Sequence, residues 1–489
     1  MANGSTVSKV AEGEIVHRRK ENFTRREFIT RAGIAATLLA ASYPRKGLSR
    51  QGDGSGGTAR PNFILFVTDD QRWDTMGCMG NPVIRTPSMD RLASQGVLFT
   101  NNFCTTSICM SSRASIFTGM YTRRHQINSF GQPLSQVAFS QTYPALLRKS
   151  GYRTGFVGKW GLGGRLPREK FDYFEGFPGQ GQYFHTVNGK SVHLTRLLTE
   201  SAIKFLRGCS KQQPFCLSVS FKAPHVQDGH PKPFRYDPAF EQLYSDVNIP
   251  VPKTSHPRYF QALPQFIRQS EGRTRWQRRF STPKLFQESV KGYYRLITGV
   301  DAAIGKIVAS LDGLGLDENT VILHTSDNGF FLGEHGLAGK WLMHEESIRT
   351  PLIIRDPRLP AAMRGRQCEE MTLNVDIAPT LFDLAGGPIP AGVQGRSLYP
   401  LLKGAPVPWR EDWFYEDPYG HGGRIPTCEG VRTKRWKYIR YLDRDPIYEE
   451  LYDLDKDPYE ERNVVTLKEN EATLSRLRRR WQQLHERLK

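Results

Sequence analysis

The chain has 489 residues, 68 Lys and Arg against 49 Asp and Glu, a formal charge of +19, and 38% hydrophobic residues. That length is too great for one small core and points to one large α/β domain with an appendage, or to two domains. No apolar run reaches the roughly 18 residues of a spanning helix, so stable membrane insertion is not expected; without zinc-finger spacing, an RNP-like motif or a zipper, nucleic acid is a poor account of the charge.

Residues 1–50 differ from the rest. Thr24-Arg25-Arg26-Glu27-Phe28-Ile29 precedes an apolar run from Ala32 to Ala41, and polar, Gly-rich sequence follows up to Arg60. A charged region, a short apolar region and small residues together describe an export signal with its linker. The paired arginines resemble a twin-arginine signal, which implies a twin-arginine translocase as partner and a bacterial periplasm as destination. Without this segment 58 basic and 45 acidic residues remain, a charge of about +13, which suits an anionic substrate by long-range attraction. The seven cysteines (Cys78, Cys104, Cys109, Cys209, Cys216, Cys368, Cys428) are too few for a disulfide scaffold, although one or two bridges fit an oxidising compartment.

Pro61 to Thr68 is a continuous apolar run, the pattern of a strand buried on both faces, and it ends in Asp69-Asp70. Two adjacent carboxylates at the end of such a strand repel each other, which favours a metal between them. Thr86 to Ala93 reads as a helix with Pro near its start, and Val97 to Thr100 as a strand. Cys109-Met110-Ser111-Ser112-Arg113 then reads as a loop feeding a short helix, with Ser111 and Ser112 as cap residues and Gly119 as its stop. A thiol in front of a helix sits where unpaired N–H groups favour negative charge. Thr142 to Ser150 is a further helix and Tyr152 to Val157 a strand, so the alternation describes repeated βα units and a mostly parallel sheet.

Gly158-Lys159-Trp160-Gly161-Leu162-Gly163 follows. Leu194 to Arg207 reads as a helix and Pro214 to Phe221 as a strand that ends in Lys222-Ala223-Pro224-His225. Residues 228–289 read as an irregular insertion with a basic and aromatic cluster (Arg268, Arg273, Arg275, Trp276, Arg278, Arg279, Phe280). Two readings stay open: a segment that shapes substrate access, with Trp276 as a candidate surface for sugar stacking, and a solvated charged loop. Gly292 to Leu311 is a long helix. Thr320 to Thr325 is another buried strand, and Ser326-Asp327-Asn328-Gly329 mirrors the Asp69-Asp70 end. Four side-chain oxygen donors on two parallel strands describe a hard-cation site, calcium before magnesium, because magnesium demands stricter geometry. Lys340 follows this loop, then a strand from Pro351 to Arg355 and a helix from Asp376 to Ala385. From about Val407 the texture changes to antiparallel strands around Glu429 to Arg440, a hairpin-like turn over Glu450 to Pro458 and a closing amphipathic helix from Glu471 to Lys489.

Cys109, Ser111, Ser112, Arg113, Thr118 and Gly119 form Cys-x-Ser-Ser-Arg-x-x-x-x-Thr-Gly, which resembles the signature of type I sulfatases of the alkaline-phosphatase superfamily. The resemblance spans Arg60 to Lys489. It implies an alkaline-phosphatase-like α/β fold, a mostly parallel sheet sandwiched by helices over 60–405, followed by a small C-terminal α+β subdomain over 406–489. It implies that a formylglycine-generating or sulfatase-maturing enzyme oxidises Cys109 to formylglycine, and that Asp69, Asp70, Asp327 and Asn328 bind calcium together with that residue. Arg113 would stabilise oxyanions, Lys159 would contact the nucleophile, and His225 (as imidazolium) and Lys340 would bind the sulfate. The family typically carries His where this chain has Gly161, so that contact is lost or comes from elsewhere.

The activity so implied is hydrolysis of a sulfuric ester through a covalent sulfo-enzyme, the two hydroxyls of a hydrated aldehyde serving in turn for attack and for release of sulfate. Lys340 to Pro351 and Glu429 to Tyr441 are most similar to sulfatases of sulfated sugars, N-acetylglucosamine-6-sulfatase among them; the segment from His421 to Arg432 would line the cleft, and aryl sulfates would serve as artificial substrates. Two alternatives stay open: a phosphodiester or phosphonate hydrolase of the same superfamily, and a non-catalytic binder of sulfated glycans in which Cys109 stays a thiol.

Overall fold

The computed structural model describes residues 60–489; the export signal expected in residues 1–50 lies outside the described residues. The central strand, Asn62–Asp69, is buried at every position. Its side chains alternate between two cores because successive residues of a strand face opposite ways. Ile64 and Phe66 enter one core with Leu198, Phe205, Tyr293, Ile297 and Ile304, whereas Phe63, Leu65 and Val67 enter the other with Phe117, Phe156, Trp160 and Leu381. A strand covered on both faces is continuously apolar, which is why the run is readable in the sequence.

Eight strands form the main sheet, in the order Arg366–Cys368, Val97–Phe99, Leu352–Arg355, Thr320–Ser326, Asn62–Asp69, Phe215–Pro224, Arg153–Lys159 and Tyr173–Phe177. The five strands from Thr320–Ser326 to Tyr173–Phe177 run parallel. Leu352–Arg355 runs antiparallel to both of its neighbours. The parallel block therefore turns five strand ends, at Asp69, Lys159, Phe177, Pro224 and Ser326, toward one edge.

The helix expected at Gly292 to Leu311 runs from Pro283 to Leu314. Thr282 caps it by accepting from Leu285 N at 3.2 Å, Pro283 occupies its first turn, and Gly315 ends it at φ 63°. Its first two turns are partly exposed and polar, which hides them from an apolar-periodicity reading. Asp301, buried within it, accepts from Ser88 N at 3.2 Å and Met89 N at 2.8 Å, and so serves the exposed N–H groups of the Pro87–Gln95 helix. The insertion expected to be irregular contains three short helices, Pro257–Ala262, Gln265–Arg268 and Glu271–Arg279.

The C-terminal elements are an antiparallel sheet in the order Asp412–Asp417, Cys428–Thr433, Trp436–Tyr441 and Tyr448–Asp453, covered by the Glu471–Arg487 helix. Leu474, Leu477 and Leu484 of that helix bury against Trp413, Tyr438 and Tyr441 of this sheet. All seven cysteines are unpaired, so no disulfide contributes. Among the described residues no helix is long and apolar enough to cross a membrane.

Candidate active site

The site is assembled at the edge where the parallel strands end, the position that open α/β sheets give their ligands. Thr68 pairs with Ser326 in register, so Asp69-Asp70 and Asp327-Asn328 emerge side by side. Backbone hydrogen bonds lock the two ends together: Asp327 N donates to Thr68 O at 3.0 Å, and Asp70 N donates to Asp327 Oδ1 at 3.2 Å. Asp70 sits at φ 68°, a left-handed turn that brings its carboxylate back over the strand end. There it accepts from Asn328 Nδ2 at 2.7 Å and from Lys340 Nζ.

Cys109 opens the Cys109–Thr118 helix, which is buried along its whole length. The serines expected to cap that helix lie inside it instead. Ser112 Oγ donates to the carbonyl of Asp327 and accepts from Asn374 Nδ2 at 2.8 Å, while Ser111 Oγ donates to Ile127 O at 2.6 Å. Ser112 thereby pins the helix to the Asp327 loop, and Ser111 ties it to the segment at Ile127. Gly119 ends the helix in the expected left-handed conformation, φ 69°.

Arg113, one turn after Cys109, donates through Nε to Asp327 Oδ2 at 2.8 Å and through Nη1 to Lys159 O at 3.2 Å and to Ser220 Oγ. Its Nη2 stands 3.7 Å from Asp69 Oδ2 without a hydrogen-bond partner. Lys159, the last residue of its strand, pairs with Asp69 Oδ2 and donates to Gln180 Oε1 at 2.7 Å. Lys340 lies 3.9 Å from Asp69 Oδ1. Cys109, Arg113, Lys159, His225, Lys340, Asp69, Asp70, Asp327 and Asn328 are all buried, and hydrogen bonds and close charge pairs bring Arg113, Lys159, His225 and Lys340 together around the two acidic strand ends.

The electrostatics divide the site. Burial pushes Asp69 up, but Lys159, then Lys340 and Arg113, outweigh it and hold its carboxyl well below the usual range. Burial, then the neighbouring Asp69, pushes Asp327 up to about 6. Burial would strip the proton from Lys340, yet Asp70 and then Cys109 keep it firmly protonated.

His225 departs from its expected state. Its Nδ1 faces the carbonyl of Val226 at 2.7 Å and therefore carries the proton, leaving Nε2 as a lone pair 3.7 Å from Asp70 Oδ2. Burial holds its pKa well below the usual value, and Lys340, Lys159 and Lys222 oppose a further positive charge. The imidazole is neutral rather than the imidazolium that the sequence suggests. Lys222, on the same strand as Ser220, is lowered to about 8 by burial and then by Lys159.

The arrangement fits a cation. Asp69 Oδ1 and Asn328 Oδ1 are buried acceptors without a hydrogen-bond partner. Asp69, Asp70 and His225 offer ligand atoms within 4.8 Å of one another. Mostly oxygen donors at this spacing suit a hard divalent ion. The unpartnered Nη2 of Arg113 next to them suits an anion.

Two features escape the sequence reading. Trp276 already carries the Arg273 guanidinium, which lies 3.9 Å from its ring centre and 3.8 Å from that of Phe260. Gln180 reaches from the loop after Tyr173–Phe177 to within 4.0 Å of Cys109 Sγ. A glutamine in a polar loop carries no pattern of its own; its flanking glycines, Gly179 and Gly181, are the only mark.

The Sulfatase family model matches residues 61–387, and the model of the N-sulphoglucosamine sulphohydrolase C-terminal region matches residues 333–487. The chain is 31% identical to an N-acetylglucosamine-6-O-sulfatase of Bacteroides thetaiotaomicron over 83% of each chain. It is 26% identical to an arylsulfatase of Clostridium perfringens over 86% of this chain and 93% of the relative. A solved structure in complex with its substrate, D-glucosamine-2-N,6-O-disulfate, superposes with a TM-score of 0.78 at 27% identity, covering 88% of this chain and 98% of the other. The phosphonate monoester hydrolase of Agrobacterium radiobacter shares the fold, with a TM-score of 0.74 at 24% identity over 88% and 96% of the two chains.

Proposed function

The chain belongs to the sulfatase family and is a sulfuric ester hydrolase, and from that premise we propose that it releases sulfate from a sulfated sugar, with Cys109 matured to formylglycine and calcium held by Asp69, Asp70, Asp327 and Asn328. The observation that carries this reading is the set of unsatisfied buried groups around Cys109: two acceptors, on Asp69 and Asn328, beside one donor, on Arg113. Acceptors call for a cation and the donor for an anion, so one pocket is prepared for both a metal and a sulfate. The sugar assignment rests on the relatives, whose names specify N-acetylglucosamine-6-O-sulfate chemistry and a disulfated glucosamine.

A formylglycine at position 109 would supply, when hydrated, two hydroxyls on one carbon, one as the nucleophile toward sulfur and one for the release of sulfate. Calcium, when bound, supplies Lewis-acid stabilisation of the oxyanions. The chain's own residues do the rest. Arg113 offers its free Nη2 to a sulfate oxygen while Asp327 holds its Nε. Lys159 and Lys340 place two further positive charges along the Asp69–Asp70 edge. His225 contributes the Nε2 lone pair as a ligand or proton acceptor, and Asp327, raised to about 6 by burial and then by Asp69, would take the proton of the nucleophile. The shell is rigid because each cation is fixed by a carboxylate and each carboxylate by the backbone of a strand end.

Maturation by a formylglycine-generating enzyme and export by a twin-arginine translocase complete the proposal, with 60–405 as the catalytic domain and 406–489 as the C-terminal subdomain. The test is peptide mass spectrometry across Cys109 on protein from its native host, with sulfate and phosphate esters assayed side by side. An aldehyde at 109 with turnover of sulfate esters is the expected result. An unmodified thiol, in a host that modifies other sulfatases, overturns it in favour of a sulfated-glycan binder; a preference for phosphate esters overturns it in favour of a phosphonate or phosphodiester hydrolase.

A further inference from the structure

Gln180 stands between Lys159 and Cys109, and nothing in the chain's motifs assigns it a role. Its Oε1 accepts from Lys159 Nζ at 2.7 Å, and its Nε2 lies 4.0 Å from Cys109 Sγ. The orientation of the amide is fixed by chemistry: an ammonium has donors only, so the carbonyl end must face Lys159 and the NH₂ end must face residue 109. Lys159 is itself held by Asp69, so the polarity of Gln180 is inherited from the carboxylate at the end of the central strand.

The backbone around Gln180 is built to hold it there. Gly179 and Gly181 both take left-handed conformations, φ 60° and φ 63°. A Cβ on Gly181 would stand 2.6 Å from the Phe177 ring, so the turn also needs glycine for space. Two residues on, Tyr183 anchors the loop: its N donates to Gln227 Oε1 at 3.0 Å, and its hydroxyl donates to the carbonyl of His225 at 2.6 Å. A half-buried glutamine on a tethered Gly-Gln-Gly turn, with its carbonyl engaged and its donors aimed at the nucleophile, is a preorganised donor.

We propose that Gln180 is a catalytic residue, whose amide N–H donates to the oxygen carried by residue 109 and holds it for attack on the ester. This rests on the sulfatase reading of Cys109. A donor at position 161 is not available in this geometry, because a Cβ on Gly161 would lie 2.4 Å from Arg113 Cδ.

The test compares wild type with Gln180→Leu, which keeps the bulk and removes the donor, and Gln180→Glu, which keeps the shape and turns a lone pair toward residue 109. In each protein peptide mass spectrometry measures the aldehyde at 109, an aminooxy probe measures how fast that aldehyde is captured, and an aryl sulfate gives kcat and KM. With equal aldehyde content, kcat falls about 10²-fold in the leucine variant and further in the glutamate variant, with KM changed less than about threefold. Capture by the probe becomes several-fold faster, because the hydrated form loses the donor that favours it. Equal kcat and equal capture rates at equal aldehyde content overturn this inference alone, as does a loss confined to KM. A wild-type protein with an unmodified thiol overturns the sulfatase reading and this inference together.

Discussion

Gly161 and Arg113 compete for one space: the Cβ that any other residue would place at 161 lies 2.4 Å from Arg113 Cδ and 3.1 Å from its Nε. That Nε is the atom holding Asp327 Oδ2. Gly161 and the path that Arg113 takes across the site are therefore matched to each other.

Gly161→His therefore does not restore a family pattern here. The side chain displaces Arg113 from Asp327, and the backbone at φ 76° adds a strain of about 1–2 kcal/mol. We expect kcat/KM to fall at least about tenfold and the thermal midpoint to drop. An active Gly161→His enzyme would show that Arg113 has a second productive path.

Cys109→Ala removes the nucleophile and little else. The residue is 1% exposed, and its loss leaves a void of roughly one atom that costs about 1 kcal/mol or less. Turnover of sulfate esters is expected to vanish, while near-UV circular dichroism and the thermal midpoint stay close to wild type. Retained turnover would exclude Cys109 as nucleophile.

Calcium addition to chelator-treated protein is expected to raise the thermal midpoint, since an ion that binds only the folded site stabilises it by mass action. Asp69→Asn takes away a carboxylate whose Oδ1 has no partner within the protein. It should raise the calcium concentration for half-maximal stabilisation at least about tenfold. A midpoint indifferent to both calcium and magnesium would remove the metal from the mechanism.

Asp301 gives a pH-dependent test far from the chemistry. Burial raises its pKa from 3.8 to about 6, against the opposing hydrogen bonds from Met89 N and Ser88 N. The folded state thus binds this proton more tightly than the unfolded state. The stability it contributes is full below about pH 4 and is lost as the pH rises through about 6. Asp301→Asn keeps an acceptor and removes the buried charge, so its thermal midpoint should rise relative to wild type at pH 8, with the gap closing toward pH 4. Asp301→Ala, which leaves the two N–H groups without their acceptor, should be less stable than Asp301→Asn at both pH values by about 1 kcal/mol.

Strand ends were legible wherever burial on both faces forces an apolar run. Asn62–Asp69 and Thr320–Ser326 show it, and the polar residues that follow each run stand out by contrast. The Leu194–Arg207 helix was legible for the related reason that it buries one face. The first turns of the Pro283–Leu314 helix and the short helices of the 228–289 insertion were not, because they are polar and take their conformation from neighbours rather than from their own periodicity. Ser111 and Ser112 looked like caps because hydroxyls favour helix starts, but burial gave them partners on other segments, Ile127 and Asp327.

By itself the sequence determined the parallel α/β architecture and the two acidic strand ends, since strand burial leaves its mark on the order of residues, while the cations around them were read through the family resemblance. Tertiary structure alone decided that His225 is neutral, that Arg113 fills the space beside Gly161, and that Gln180 meets Cys109. A proton's position depends on the charges around it, and a shared space or a contact between distant loops depends on how the chain folds back. Neither is written in any local pattern of residues.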